Sequence, residues 1–283
     1  MEQHQSVRVR KGGVDSVAGG TDTRSSGAAG ALDVEAVRVR FRGLVALDDV
    51  DLHVDAGEIV GLVGSNGAGK TTLFNVITGL QPAEAGSVRF DHTDISHYPA
   101  YRRARLGIAR TFQRMNLVEQ LSVLDNIMLG LELHQGFLAA SGLAPPRGRD
   151  ERRSAINRVE HVVAMLGLDA EVRLRADELP TGKRRLVEVG RALASSPRLL
   201  LLDEPSAGLD EHEARRFAEV VRDWVAQEGS GVVIIEHDIE LVAALVDRIC
   251  VLDQGRLLLQ GRPDEVLFHP EVRRAFIGGV TVG

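Results

Sequence analysis

Gly64-Ser65-Asn66-Gly67-Ala68-Gly69-Lys70-Thr71 follows the spacing G-x-x-x-x-G-K-[ST] of a phosphate-binding loop. The chain has only three lysines, Lys11, Lys70 and Lys183, and arginine supplies the rest of its 34 basic residues. In so arginine-rich a chain, a lysine at this spacing points to a chemical role. Glycines let successive backbone N–H groups turn toward a polyphosphate and keep β-carbons out of its way. Lys70, a compact charge on a flexible stem, suits the β/γ oxygens, where a planar guanidinium would collide with the loop. Thr71 offers a hydroxyl to Mg²⁺, and Thr72 continues the loop into a helix. The apolar run Ile59–Val63 predicts a buried strand, Thr72 to Thr78 a helix, and Gly79 its C-cap. Phosphates would then lie at a helix N-terminus, where free N–H groups and the helix dipole favour anions. A nucleotide is the expected ligand.

Working outward, 283 residues suit one compact domain with an inserted lobe. Hydrophobic residues at 44% and charged residues at 26% are ordinary for a globular protein, and a net charge of −6 gives no sign of a nucleic-acid surface. The single cysteine, Cys250, excludes an internal disulfide and sits in the apolar run Ile249–Leu252 as a small buried hydrophobe. No apolar stretch reaches the ~20 residues needed to span a bilayer. Residues 1–31 carry Gly, Ser, Ala and scattered charges without an apolar h-region, which predicts a disordered tail rather than a signal peptide. The cytosol is the default location.

Val37 to Arg42 alternates strictly, and Val50, Leu52 and Val54 repeat that period, so an antiparallel β portion is expected there, with a further strand at Ser87 to Phe90. From about Arg102 to Arg175 the pattern reads as helical, interrupted by an exposed connection at Gly136 to Arg149. Leu199 to Leu202 and Val232 to Ile235 look like buried parallel strands separated by a helix over Glu211 to Ala226. Alternating β and α implies a doubly wound sheet.

Asp203 and Glu204 follow the Leu199–Leu202 run, at the strand edge where open α/β sheets bind ligands. Asp203 can hold Mg²⁺ directly or through water, while Glu204 can polarise the water that attacks a γ-phosphate. His237 follows Val232–Ile235 and Glu236, so it reaches the same edge and can donate to a phosphate oxygen. No histidine pair stands at metal-ligand spacing beside further ligands, so no protein-built metal site is assigned.

With these motifs the chain resembles the nucleotide-binding ATPase subunits of ABC transporters, from about Leu32 to the C-terminus. The distinctive element is Leu179-Pro180-Thr181-Gly182-Lys183, which looks like the family's signature motif. Thr111-Phe112-Gln113 is similar to its Q-loop, Ser206 to Asp210 to its D-loop, and Glu236-His237-Asp238 to its switch-histidine segment. The resemblance implies a P-loop NTPase (RecA-like) α/β core with an antiparallel β subdomain and an inserted helical subdomain. The core lobe would span about 32–100 and 176–283, and the helical lobe about 101–175, continuing into the signature helix to about 195.

For the site, the resemblance implies ATP and Mg²⁺ as ligands, held by Gly64 through Thr72. Lys70, Gln113, Glu204 and His237 would act in catalysis, with Thr71, Gln113 and Asp203 around the metal. Phe41 stands where the family stacks an aromatic ring on adenine; alternatively it is the next inward residue of its strand. Two ATPase subunits would face head to tail, so that Thr181, Gly182 and Lys183 serve the nucleotide of the opposing subunit. Pro180 replaces the family's usual serine and has neither a hydroxyl nor an N–H. Thr181 can stand in one residue later, the Gly182 backbone and the Lys183 charge can suffice, or the motif is weakened.

Arg110 to Gln113, the connection near Gly136 to Arg149, and the run from Gln260 to Gly278 resemble the importer ATPases for branched-chain amino acids and related amides. Transmembrane permease subunits docking near Gln113 to Asn126, an extracytoplasmic substrate-binding protein, and a place on the cytoplasmic face of the membrane are implied with it. Soluble ABC ATPases and a regulatory ATP-binding module are the alternatives.

Overall fold

The computed structural model describes residues 8–9, 32–112, 116–135, 149–270 and 272. Among them, the short apolar runs build the centre of a seven-stranded sheet. Its spatial order is β1 (Arg8–Val9), β11 (Arg256–Gly261), β10 (Arg248–Asp253), β4 (Ile59–Val63), β9 (Gly231–Ile235), β8 (Leu199–Asp203), β7 (Ile108–Arg110). The five strands from β10 to β7 run parallel, β11 pairs antiparallel with β10, and β1 pairs antiparallel with β11. Every residue of β4, β8 and β9 is buried. Continuous apolar strands are required here because both faces of the sheet are covered.

Alternation along each strand divides the core in two. Leu199 and Leu201 face one cluster, while Leu200 and Leu202 face the other. The first cluster is completed by α1 (Lys70–Thr78) and by a four-stranded antiparallel sheet, ordered β3 (Leu44–Val54), β2 (Leu32–Phe41), β5 (Ala85–Phe90), β6 (Thr93–Asp94). The second is covered by α3 (Val123–Gln135), α4 (Arg149–Met165), α5 (Thr181–Ala194), α6 (Glu211–Glu228) and α7 (Ile239–Leu245). Short helices α2 (Ala100–Arg105) and α8 (Pro263–Leu267), with two 3₁₀ turns at Asp169–Glu171 and Ala176–Glu178, complete the described elements. Helix α6 shows why these segments are helical. Asp210 caps its N-terminus by accepting from Glu213 N at 2.8 Å, and Glu213 returns a bond to Asp210 N at 3.0 Å. Phe217, Val220, Val221, Trp224 and Val225 then form one buried stripe, and Gly229 closes the helix in the left-handed region.

Three observations differ from the sequence reading or fall outside its test. Ile108–Arg110, within the stretch read as helical, is an edge strand of the main sheet, paired in parallel with Leu199 to Leu201. Three residues are too few to display a period. Arg8 and Val9, within the stretch read as a tail, pair antiparallel with Gln260 and Leu259. Most of the expected connection at Gly136 to Arg149 lies outside the described residues, and α4 starts at Arg149. Among the described residues no helix is long and apolar enough to cross a membrane. Cys250 is fully buried, and burial pushes its thiol pKa up to about 11 against the pull of Arg248.

Candidate nucleotide-binding and hydrolytic site

The loop after β4 is shaped by close backbone approach. A β-carbon on Gly64 would lie 2.1 Å from the Leu252 carbonyl oxygen, so only glycine fits against the end of β10. Gly69, at φ 108°, turns the chain into α1, and a β-carbon there would sit 2.6 Å from Ala46 O. The turn brings Lys70 back over the loop, where Nζ donates to Gly64 O at 2.6 Å and Ser65 O at 2.9 Å. Lys70 is only 7% exposed, and this burial lowers its pKa, with the charges of Glu204 and Asp203 opposing the shift. The Lys70 ammonium thus lies within electrostatic reach of both carboxylates. Ser65, Asn66, Gly67 and Thr71 are exposed, and Ala68 is buried under the turn.

Asp203 ends β8 and is buried with Arg110. The Arg110 Nη2 to Asp203 Oδ2 distance is 2.9 Å. The Asp203 N–H donates to Thr111 Oγ1 at 3.0 Å. Glu204, next in the chain, adopts φ 49°, a left-handed backbone that a glutamate holds only when its surroundings enforce it. One such restraint is the bond from Glu204 N to Ile235 O at 2.9 Å. His237, two residues past β9, places Nε2 2.9 Å from Glu204 Oε1. Between them Glu236 is buried and accepts from Ser206 N at 2.8 Å and His237 N at 3.2 Å. Burial raises the pKa of Glu236, and these hydrogen bonds counter the rise. The sequence reading did not single out Glu236 as an anchor for the backbone on both sides of the site.

Helix α5 begins after Pro180, whose extended backbone (φ −63°, ψ 157°) serves as the N-cap without a side-chain bond. Thr181 is exposed, whereas a β-carbon on Gly182 would lie 2.6 Å from Gly208 O. Gly182 therefore has a packing reason within its own chain. Lys183 forms an ion pair with Glu171 of the same chain, so its ammonium is already engaged. Further along, Arg185 Nη1 donates to Phe112 O at 2.7 Å and pairs with Glu188 Oε2 at 2.9 Å, while Glu188 Oε1 accepts from Phe112 N at 3.2 Å. Both charged groups are buried. Gln113, the next residue, lies outside the described residues.

Phe41 is 45% exposed at the end of β2, which overturns its reading as an inward residue. The chain turns at Arg42-Gly43 immediately after it, so Phe41 stands at the hairpin end of β2, past the buried Val37 and Val39. It pairs with Leu44, two residues before the Ala46 carbonyl that abuts Gly69, so an exposed ring stands on the same edge as the loop.

The order of the parallel strands puts the glycine loop after β4 and the carboxylates after β8 on either side of β9, with His237 following β9 itself. That arrangement defines a phosphate-loop nucleoside triphosphatase. The profile of a family described as ABC transporter matches residues 47–207, more than half the chain, and the chain belongs to that family as an ATP-binding cassette and ATPase. It is 33% identical over 248 residues to the high-affinity branched-chain amino acid transport ATP-binding protein BraF of Pseudomonas aeruginosa, covering 87% of this chain and 97% of BraF. It is also 36% identical over 244 residues to the lipopolysaccharide export system ATP-binding protein LptB of Escherichia coli, covering 84% and 93%. Among solved structures, the ADP conformation of MJ1267, an ATP-binding cassette of an ABC transporter, superposes with a TM-score of 0.76 at 31% identity, covering 87% of this chain and 98% of that one.

Proposed function

We propose that this cassette powers import of branched-chain amino acids or related amides through transmembrane permease subunits at the cytoplasmic face of the membrane, fed by an extracytoplasmic substrate-binding protein. The observation that carries the substrate class is the match to BraF across 97% of its length. The LptB match, at a slightly higher identity, favours export as the second reading. Uptake of radiolabelled leucine into vesicles containing the co-purified permease subunits decides between them. Accumulation that needs ATP supports import; no uptake, together with ATP-driven release of a lipid, sinks it.

In the cycle we propose, ATP lies on Gly64 to Thr72 with its adenine against Phe41, and Lys70 exchanges its two loop carbonyls for phosphate oxygens. Mg²⁺ fits the donors present: the Thr71 hydroxyl and the Asp203 carboxylate are oxygen ligands, the kind this ion takes, and Gln113 is proposed as a third. An ion held there would supply positive charge against the bound polyphosphate. Glu204 polarises the attacking water, and His237 holds Glu204 and the γ-phosphate edge. A second ATPase subunit, identical or homologous, closes the site with the N-terminal turn of its α5. Exposed Thr181, above a Gly182 packed on Gly208, supports that role for the turn, with the Thr181 hydroxyl taking the place of the side chain that Pro180 lacks. Lys183, paired with Glu171, contributes there only if that pair opens.

A further inference from the structure

Arg110 is the last residue of β7, and only 5% of its side chain is exposed. Its guanidinium reaches two elements of the site at once. Nη2 pairs with Asp203 Oδ2 at 2.9 Å, and Nη1 donates to Asn75 Oδ1 on α1 at 2.6 Å. The group lies between two rings, its carbon 5.2 Å from the Phe74 centroid and 5.1 Å from that of Phe112. Asn75 and Thr71 are four residues apart on α1 and so share one helix face.

We propose that Arg110 is a positioning residue for the Mg²⁺ site, fixing the Asp203 carboxylate relative to α1 and therefore relative to Thr71. The inference rests on the reading above that Thr71 and Asp203 hold the ion. Anchoring Oδ2 limits rotation of the carboxylate, and the bond to Asn75 ties that anchor to the helix carrying the hydroxyl. A lysine cannot substitute, because one ammonium lacks the planar fork that spans both partners between two rings. The buried cation also keeps Asp203 compatible with its apolar surroundings before any metal arrives.

The test is binding of a fluorescent ATP analogue to the purified full chain, titrated with Mg²⁺, in Arg110→Met, Arg110→Lys and Asn75→Ala. Nucleotide affinity without Mg²⁺ is expected to be unchanged. The Mg²⁺ concentration for half-maximal enhancement should rise on the order of 10–100-fold in Arg110→Met, the usual effect of removing a partner that orients a metal ligand. Asn75→Ala should shift it in the same direction by less, and Arg110→Lys should not restore it. An unchanged Mg²⁺ requirement in Arg110→Met overturns the inference, as does an equal loss of affinity with and without Mg²⁺. Where Arg110→Met does not fold, an unchanged requirement in Asn75→Ala overturns it alone. Absence of nucleotide binding by the unaltered chain sinks the reading of the site itself, whereas a normal requirement in a nucleotide-binding Arg110→Met sinks this inference only.

Discussion

His237 Nε2 stands 2.9 Å from Glu204 Oε1, joining the ends of two adjacent parallel strands, β8 and β9. The left-handed backbone of Glu204 and the buried anchor Glu236 hold this pair in place from below. A carboxylate so placed can take a proton from water, and an amide cannot. Glu204→Gln should therefore retain ATP binding and lower phosphate release at saturating ATP by on the order of 10²-fold or more. Hydrolysis near the unaltered rate would remove Glu204 from the chemistry. His237→Ala, which frees the Glu204 side chain, should lower the same rate without weakening binding.

Lys70 tests the loop. Its ammonium is buried at a desolvation cost, so Lys70→Met should fold with stability equal to or above that of the unaltered chain. What it should lose is ligand-induced stabilisation. A nucleotide at a hundred times its Kd stabilises a folded protein by about 2.7 kcal/mol, and this increment in thermal unfolding should vanish in the variant. An ATP-dependent rise of normal size in Lys70→Met would contradict the site.

The Arg185–Glu188 pair brackets the Phe112 backbone from both sides, accepting its N–H and donating to its carbonyl. Glu188→Ala leaves Arg185 buried without its carboxylate and should cost about 3–5 kcal/mol, read from urea unfolding. Replacing both by Arg185→Met and Glu188→Leu should cost less than Glu188→Ala alone, since no uncompensated charge remains. Additive losses in the double variant would argue that each residue is held by other contacts.

His53 lies opposite Asp33 in the β2–β3 pairing and bonds Asp33 Oδ1 at 2.7 Å and Asp55 Oδ1 at 3.0 Å. Partial burial lowers its pKa, but the two carboxylates outweigh that, and the net shift is upward from 6.5. Stability from a raised histidine is fully present below pH 6.5 and is lost as pH rises through the folded value. Both partners are partly exposed, so the contribution is at most about 1 kcal/mol. The stability difference between the unaltered chain and Asp33→Asn should shrink as the pH rises above 6.5 and through the raised folded value, measured by urea midpoints. A difference that grows with pH would reverse the sign.

The parts of this molecule visible in the sequence are those written in consecutive residues. Ile59–Val63 and Leu199–Leu202 are apolar on both faces, which fits only the middle of a covered sheet, and Gly64 to Thr71 carries its chemistry in its spacing. What stayed hidden depends on partners far away in sequence or on where the cover of a strand ends. Arg110 meets Asp203 across 93 positions. Lys183 is claimed by Glu171, which a short 3₁₀ turn over Asp169–Glu171 brings to it. Phe41 continues the alternation of buried Val37 and Val39 but stands beside the Arg42-Gly43 turn, where the covered part of the strand has ended.

Arg110, Thr111 and Phe112 follow one another where β7 ends, and each hands the chain to a different partner: a carboxylate, a strand-end amide and the start of α5. Side chains on extended backbone change direction at every residue. One residue inserted into or deleted from Ile108–Arg110 would present all three to the wrong neighbours while leaving the composition almost untouched. The length of this three-residue edge strand is thus itself part of the site's specification.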